Sequence, residues 1–285
     1  FTDQTLRIGC IKASAGTYLN GWLKELRVSD TARTVAVPTE EYTADANTKT
    51  LLHFDTPAEV PLSPSIYFDG TGDYLSVGSV TDMAFGTGDF TIEWFDRYDA
   101  FYYEHNYFGF DEAGDGFGLS ISGPNMKIYL ANKLTDIARG SFPVVGRWYH
   151  MAVVRSSGTV SWYIDGHLLG QGSNSGNVQH TGTLYIQSKN GSTMTANSQH
   201  MKEIRISDVA RYTSNFTPSQ NGFTVDSNTK LYIKGDEANG ATTFVDSGTS
   251  PKTVTTNGDA KIWYWDDYRS CIIVDSETTP KYFYP

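Results

Sequence analysis

The 285-residue chain carries 22 Lys and Arg against 32 Asp and Glu, a formal net charge of −10 that would repel a phosphate backbone and so excludes nucleic acid as a natural partner. No apolar run approaches the roughly 18–20 residues needed to cross a bilayer as a helix, which excludes helical membrane insertion. With 14% aromatic residues, 18 Tyr and 27 Gly but only 19% charged residues, the composition is that of an all-β protein. The chain opens at Phe1 with neither Met nor signal peptide, and is expected to be a processed or partial piece. Cys10 and Cys271 are too few for a disulfide framework and lack metal-ligand spacing, so buried free thiols are expected.

Near the N-terminus, "TLRIGC" from Thr5 is followed by "KELRVSDTAR" (Lys24 to Arg33) and "YTADANTKTLLHFD" (Tyr42 to Asp55). All three return later as "TLYIQS" from Thr183, "KEIRISDVAR" (Lys202 to Arg211) and "FTVDSNTKLYIKGD" (Phe223 to Asp236), the central ten residues 178 positions apart. A copy of this length marks a repeated unit. Residues 1–56 then correspond to the last third of a first unit, 57–236 to a complete unit, and 237–285 to further strands or the start of another. A partial sandwich cannot bury its own inner face, so residues 1–55 are expected to pack against other strands. Within each decapeptide, alternation puts Leu26 and Val28, or Ile204 and Ile206, on one face. It puts Glu25 and Arg27, or Glu203 and Arg205, on the other. Ser29 and Ser207 are expected to cap a short helical turn ending at Arg33 and Arg211.

Between the copies the chain alternates apolar and polar residues with period 2. "FTIEWF" (Phe90 to Phe95), "NMKIYLA" (Asn125 to Ala131), "WYHMAVVR" (Trp148 to Arg155) and "TVSWYID" (Thr159 to Asp165) read as strands. Glycine- and Asn-bearing turns separate them, and Asp165-Gly166 marks a tight hairpin. Trp94, Trp148 and Trp162 fall within apolar alternation and are expected in the core. Many short strands at regular spacing indicate an antiparallel two-sheet sandwich or barrel. Past residue 236, "TTFVDSGTSPKTVTTNGDAKI" reads as more strands, and Trp263 and Trp265 in "KIWYWDDY" share one face of a possible platform.

In order, "YFDGTGDYLSV" (Tyr67 to Val77), "FGTGDFTIEWF" (Phe85 to Phe95), "GRWYHMAVVRSSGTVSWYIDGHLLG" (Gly146 to Gly170) and "KEIRISDVARYTSNFTP" (Lys202 to Pro218) resemble the laminin-G-like, concanavalin A-like jelly-roll domain. Tandem units with such wording are similar to repeats of phage and other viral structural proteins. The resemblance implies a two-sheet antiparallel jelly roll with partial repeats at both ends, glycan or protein binding, and a calcium ion in some members. It implies a virion surface location, with glycans, other virion proteins or further copies of the chain as partners. Residues 263–285 depart from the pattern.

For calcium, hard oxygen ligands gathered in a turn are required. "DGTGD" supplies Asp69 and Asp73 around two glycines, and Glu203 on the closing strand is a third candidate. "DEAGDG" (Asp111 to Gly116) lacks a ligand at Ala113 and reads instead as an acidic hairpin tip. For glycans, aromatic rings interleaved with planar polar groups are the useful pattern, and the densest such region runs from Asp96 to Gly118. Its candidates are Tyr98, Tyr102, Tyr103, His105, Asn106 and Tyr107. Glycosidases need paired carboxylates. Glu93 and Asp96, three apart, would point to opposite faces of a strand. Neither His-Glu-x-x-His nor Gly-x-Ser-x-Gly occurs. The expectation is a non-enzymatic virion structural or adhesion protein; a purely architectural module is the alternative, and a polysaccharide-degrading enzyme is disfavoured.

Overall fold

The computed structural model describes residues 25–33, 44–53, 63–102, 104–110, 114–140, 142–191, 197–219 and 221–265. Cys10, Cys271 and Tyr103 lie outside them, as does the side chain of Trp265. The chain divides into two compact units, one of residues 1–63 with 266–285, the other of residues 64–265.

In the first unit β1 (Glu25–Ser29) pairs antiparallel with β2 (Thr48–His53), and the register shifts between Val28 and Ser29. No helical turn follows β1. Arg33 instead folds back, its Nε donating to Ser29 Oγ at 2.7 Å and its Nη2 to both oxygens of Asp45 at 2.7 and 2.8 Å. Asp45 in turn accepts from the Asn47 amide at 3.0 Å, which shapes the turn into β2. The expected cap is thus replaced by a clamp joining the exit of one strand to the entry of the next.

The second unit is an antiparallel sandwich. One sheet has the order β12 (His167–Ser173), β11 (Thr159–Ile164), β10 (Trp148–Ser156), β5 (Phe90–Tyr98), β14 (Gln199–Ser207), β3 (Ser63–Phe68), β17 (Lys261–Trp265), with β15 (Thr229–Ile233) paired to β14. The other runs β16 (Val254–Asn257), β4 (Tyr74–Val77), β13 (Leu184–Ile186), β6 (Glu104–Phe110), β7 (Phe117–Ser122), β8 (Asn125–Leu130), β9 (Lys133–Ala138). All four segments read as strands from alternation are strands. Asp165 and Gly166 both take positive φ, 51° and 74°, as a two-residue hairpin turn with right-handed strand twist demands. Between the sheets lie Ile92, Trp94, Leu119, Ile128, Met151, Trp162, Ile186 and Ile204, all without solvent exposure. Burial of each large side chain contributes about 1.5–3 kcal/mol, which makes this interior the main source of stability. Trp148 is the exception among the three tryptophans: it faces outward, half-buried, with Lys202 Nζ 4.7 Å from its ring centroid.

The second decapeptide repeats the clamp. Arg211 Nε donates to Ser207 Oγ at 2.7 Å, and its two Nη atoms reach Asp226 at 3.0 and 2.7 Å. The register shift recurs between Ile206 and Ser207. One feature departs from simple alternation. A bulge between Lys202 and Arg205 holds Glu203 at φ 54°, and Glu203 and Arg205, though both meet Phe223 and Tyr232, do not pair with each other. Arg205 instead donates to Glu93 Oε1 through Nε at 2.8 Å and Nη2 at 2.5 Å.

Candidate functional site

The aromatic segment from Asp96 to Gly118 splits between core and surface. Tyr98 closes β5 on its inner face, where its hydroxyl donates to Asp96 Oδ2 at 2.6 Å and also meets the Tyr107 hydroxyl. Tyr98 and Tyr107 have no exposure and His105 only 3%. These three glycan candidates are therefore corrected to core residues, packed with Trp94 and Phe142. Plain alternation puts Tyr98 inward with Trp94 and Asp96, and His105 inward opposite Ile121; a register shift between Asn106 and Phe108 then lets β6 turn Tyr107 and Phe108 inward in succession. Tyr102, by contrast, is 54% exposed, with its backbone amide held by Asn197 Oδ1. Asn106 is half-buried and lines a surface groove.

That groove, about 620 Å³, lies on the outer face of the seven-stranded sheet over β6, β7 and β8. In β7, "FGLSIS", alternation sends Phe117, Leu119 and Ile121 into the core and leaves Gly118, Ser120 and Ser122 outside. Small outward residues on the middle strand make the trough. Register then sets two rows across it: Asn106, Ser120 and Lys127, and beside them Gly118 and Tyr129. Tyr129 is 37% exposed, and Lys189, in the loop after β13, adds a flank from the opposite side. The trough thus offers an aromatic face, an amide, hydroxyls and two ammonium groups. Glu104, whose Oε1 accepts from Ser122 Oγ at 3.0 Å, is the single carboxylate among its described lining residues. Among the described residues no second carboxylate faces it to flank a glycosidic bond.

Neither do the two carboxylates of β5 form a pair. Asp96 points inward with Trp94 and Tyr98, and Glu93 points outward to Arg205. Both are fully buried. Burial pushes the Asp96 carboxyl up to about 7, against the hydrogen bonds from Tyr98 and Trp94. Burial acts on Glu93 in the same direction, but His150 at 3.3 Å and the Arg205 guanidinium outweigh it and hold Glu93 below the usual carboxylate range. Tyr212 completes this network with a 2.8 Å hydrogen bond to Glu93 Oε2. Such groups hold the 208–223 segment against the sheet and are closed to substrate.

At the far edge of the seven-stranded sheet, carboxylate oxygens of Asp69, Asp73 and Asp259 lie within 4.8 Å of one another. Asp73 is 3% exposed and accepts from the amides of Asp69 at 3.0 Å and Asp259 at 2.7 Å. Burial raises its pKa. Glu203 is not a member of this group. Its carboxylate accepts from Tyr232 Oη and from the Phe223 amide at 3.3 Å, so it is corrected from candidate ligand to a brace for the 219–223 turn. Asp259 was not legible as its replacement. It stands 186 residues from Asp73 and arrives through the Asn257-Gly258 turn, where the chain passes from β16 in one sheet to β17 in the other. On the opposite sheet's outer face, Trp263 is 45% exposed and its ring lies 5.9 Å from that of Tyr67, itself 4.8 Å from His200.

A family model described as the concanavalin A-like lectin/glucanases superfamily, of laminin G type, matches residues 69–220, over half of the chain. Curated proteins give no match. Among solved structures, a candidate carbohydrate binding protein from Bacteroides ovatus is 18% identical with a TM-score of 0.57, over 72% of this chain and 60% of that one. The chain thus spans less than two thirds of that protein. A heptameric SAP-like pentraxin from Limulus polyphemus is 16% identical with a TM-score of 0.48, over 70% of this chain and 96% of the other. At such identities these likenesses are ones of fold. By its matching family model and its two-sheet antiparallel sandwich, the chain belongs to the concanavalin A-like lectin/glucanases superfamily.

Proposed function

We propose that this chain is a non-enzymatic binding module whose ligand is a glycan held in the groove over β6, β7 and β8. The groove itself carries the reading: a trough of Gly118, Ser120 and Ser122 beside Tyr129, with Asn106 and Lys127 in register across it. Apolar sugar faces suit Tyr129, and sugar hydroxyls suit the amide and serine groups. The fold of the Bacteroides ovatus protein, described as a candidate carbohydrate binding protein, agrees with this reading. Calcium at Asp69, Asp73 and Asp259 belongs to the same proposal. The donor set is all oxygen, as a hard cation requires, and each Asp73 oxygen keeps a lone pair beyond its amide bond. A virion setting, in which the module serves structure or adhesion, rests on the tandem wording of the repeats.

A printed glycan array tests the groove. Wild-type protein is expected to bind a defined subset, Ser120→Trp to bind none, and Tyr129→Ala to lose about tenfold, the 1–1.5 kcal/mol of one aromatic stack. Both changes lie on the outer face, so melting temperature should hold. Array binding that survives Ser120→Trp refutes the groove. Absence of any glycan binding by the wild type favours the architectural alternative.

A further inference from the structure

Lysines elsewhere in the described residues are engaged, Lys202 and Lys234 over the rings of Trp148 and Tyr232 at 4.7 and 6.0 Å and the others by polar partners. Lys49 pairs with Asp30 at 2.6 Å, Lys230 with Asp208 at 2.7 Å, Lys252 with Asp82 at 2.9 Å and Lys261 with Asp259 at 3.5 Å. Lys133 donates to Ser175 Oγ at 2.9 Å. Lys127 and Lys189 differ: both line the groove, and neither has an ion pair or hydrogen bond among the described residues. For Lys127 a partner stands in register. Asp136 on β9 is directly across from it, yet no salt bridge forms, and the lysine borders the trough instead. For Lys189 the backbone is pressed onto Gly109 of β6, where a Cβ would collide with the lysine's own main chain. One lysine therefore borders the trough from β8 and the other from beside β6, across two strand spacings or about 10 Å. Against them stands Glu104 alone among described lining residues. With Asp136 beside Lys127 the described charges balance, and what the trough offers an anion is two lysines without ion-pair partners among the described residues. Elsewhere the net charge of −10 repels anions, so these two lysines are where an anionic ligand would dock.

We infer that the groove selects anionic glycans, chains that bear carboxylate or sulfate groups on sugars spaced to meet Lys127 and Lys189. The inference rests on the glycan reading of the groove and adds the substrate class. Isothermal titration with the purified chain tests it, using oligogalacturonate, its fully methyl-esterified form, dextran sulfate and plain dextran. The esterified chain keeps the sugar backbone and loses the charge. Oligogalacturonate is expected to bind at least tenfold more tightly than its ester, with affinity falling as salt rises. Lys127→Gln and Lys189→Gln should each weaken acid binding about fivefold, the upper range for an exposed ion pair, and so narrow the acid-to-ester affinity ratio. Dextran sulfate binding without oligogalacturonate binding assigns the anion as sulfate, and the converse as carboxylate. Equal affinity for acid and ester, or indifference of the double lysine variant, overturns the anionic assignment while the groove reading stands. If no member of the set and no array glycan binds, both fall together.

Discussion

Asp96→Asn should stabilise this protein at alkaline pH and remove part of its pH dependence. Asp96 is fully buried between the sheets; Oδ2 accepts from Tyr98 Oη at 2.6 Å and Trp94 Nε1 at 3.3 Å, and Oδ1 has no partner. Burial pushes its carboxyl up to about 7 in the fold, against 3.8 in the unfolded chain. The native state therefore binds the extra proton across that window, and stability falls as pH rises through it. The contribution is full below about pH 4 and lost above about pH 7, with an amplitude of about 4 kcal/mol from the two pKa values. Asparagine is a neutral isostere whose carbonyl can keep the Tyr98 and Trp94 bonds. Its amide occupies the unpartnered side, as the acid proton of neutral Asp96 does, so the two should match near pH 4. His105 acts in the opposite direction. Burial lowers its pKa to about 3, so its contribution is present above about pH 6.5 and lost as pH falls. The difference between Asp96→Asn and wild type cancels the His105 contribution. Denaturant unfolding followed by tryptophan fluorescence, at a series of pH values, measures that difference. A value that does not change with pH would refute the reasoning.

Three further outcomes follow from contacts in the fold. Glu93→Gln leaves the buried Arg205 guanidinium without its counter-charge and should cost about 3–5 kcal/mol in urea unfolding, whereas the double change to methionine at both positions should cost less than the sum of the singles. Arg211→Ala removes the clamp to Ser207 and Asp226, and because Asp226 is 43% exposed the loss should be only about 1 kcal/mol; a much larger drop would show that the clamp orders more than its own turn. Millimolar calcium should raise the melting temperature, a gain of about 2.7 kcal/mol at a hundredfold excess over Kd. Asp259→Asn should abolish that rise and Glu203→Gln should leave it intact, and a rise that survives Asp259→Asn places calcium elsewhere.

Much of the fold was legible because its signals are local. Alternation with period 2 in Phe90 to Phe95 or Asn125 to Ala131 needs only adjacent residues to declare one face, and Asp165-Gly166 needs only its own φ angles to declare a hairpin. The duplicated decapeptide likewise foretold one local structure twice, though its arginines proved to grip Asp45 and Asp226 and not to end a helical turn. Of the residues in the proposed groove and calcium group, the sequence pointed to Asn106, Asp69 and Asp73. That Phe108 joins Tyr107 in the core depended on a register shift in β6, and the place of Glu203 on a bulge in β14; each inserts one residue and reverses the parity that spacing assigns. Asp259 and the trough depended on strands far apart in the chain. Gly118, Ser120 and Ser122 are unremarkable in "FGLSIS" until β6 and β8 rise on either side of them. Sequence alone determined the strands and the two-sheet class, through local period and turn chemistry. Tertiary pairing decided what those strands present to a ligand, because a groove is a relation between neighbours that no single strand encodes.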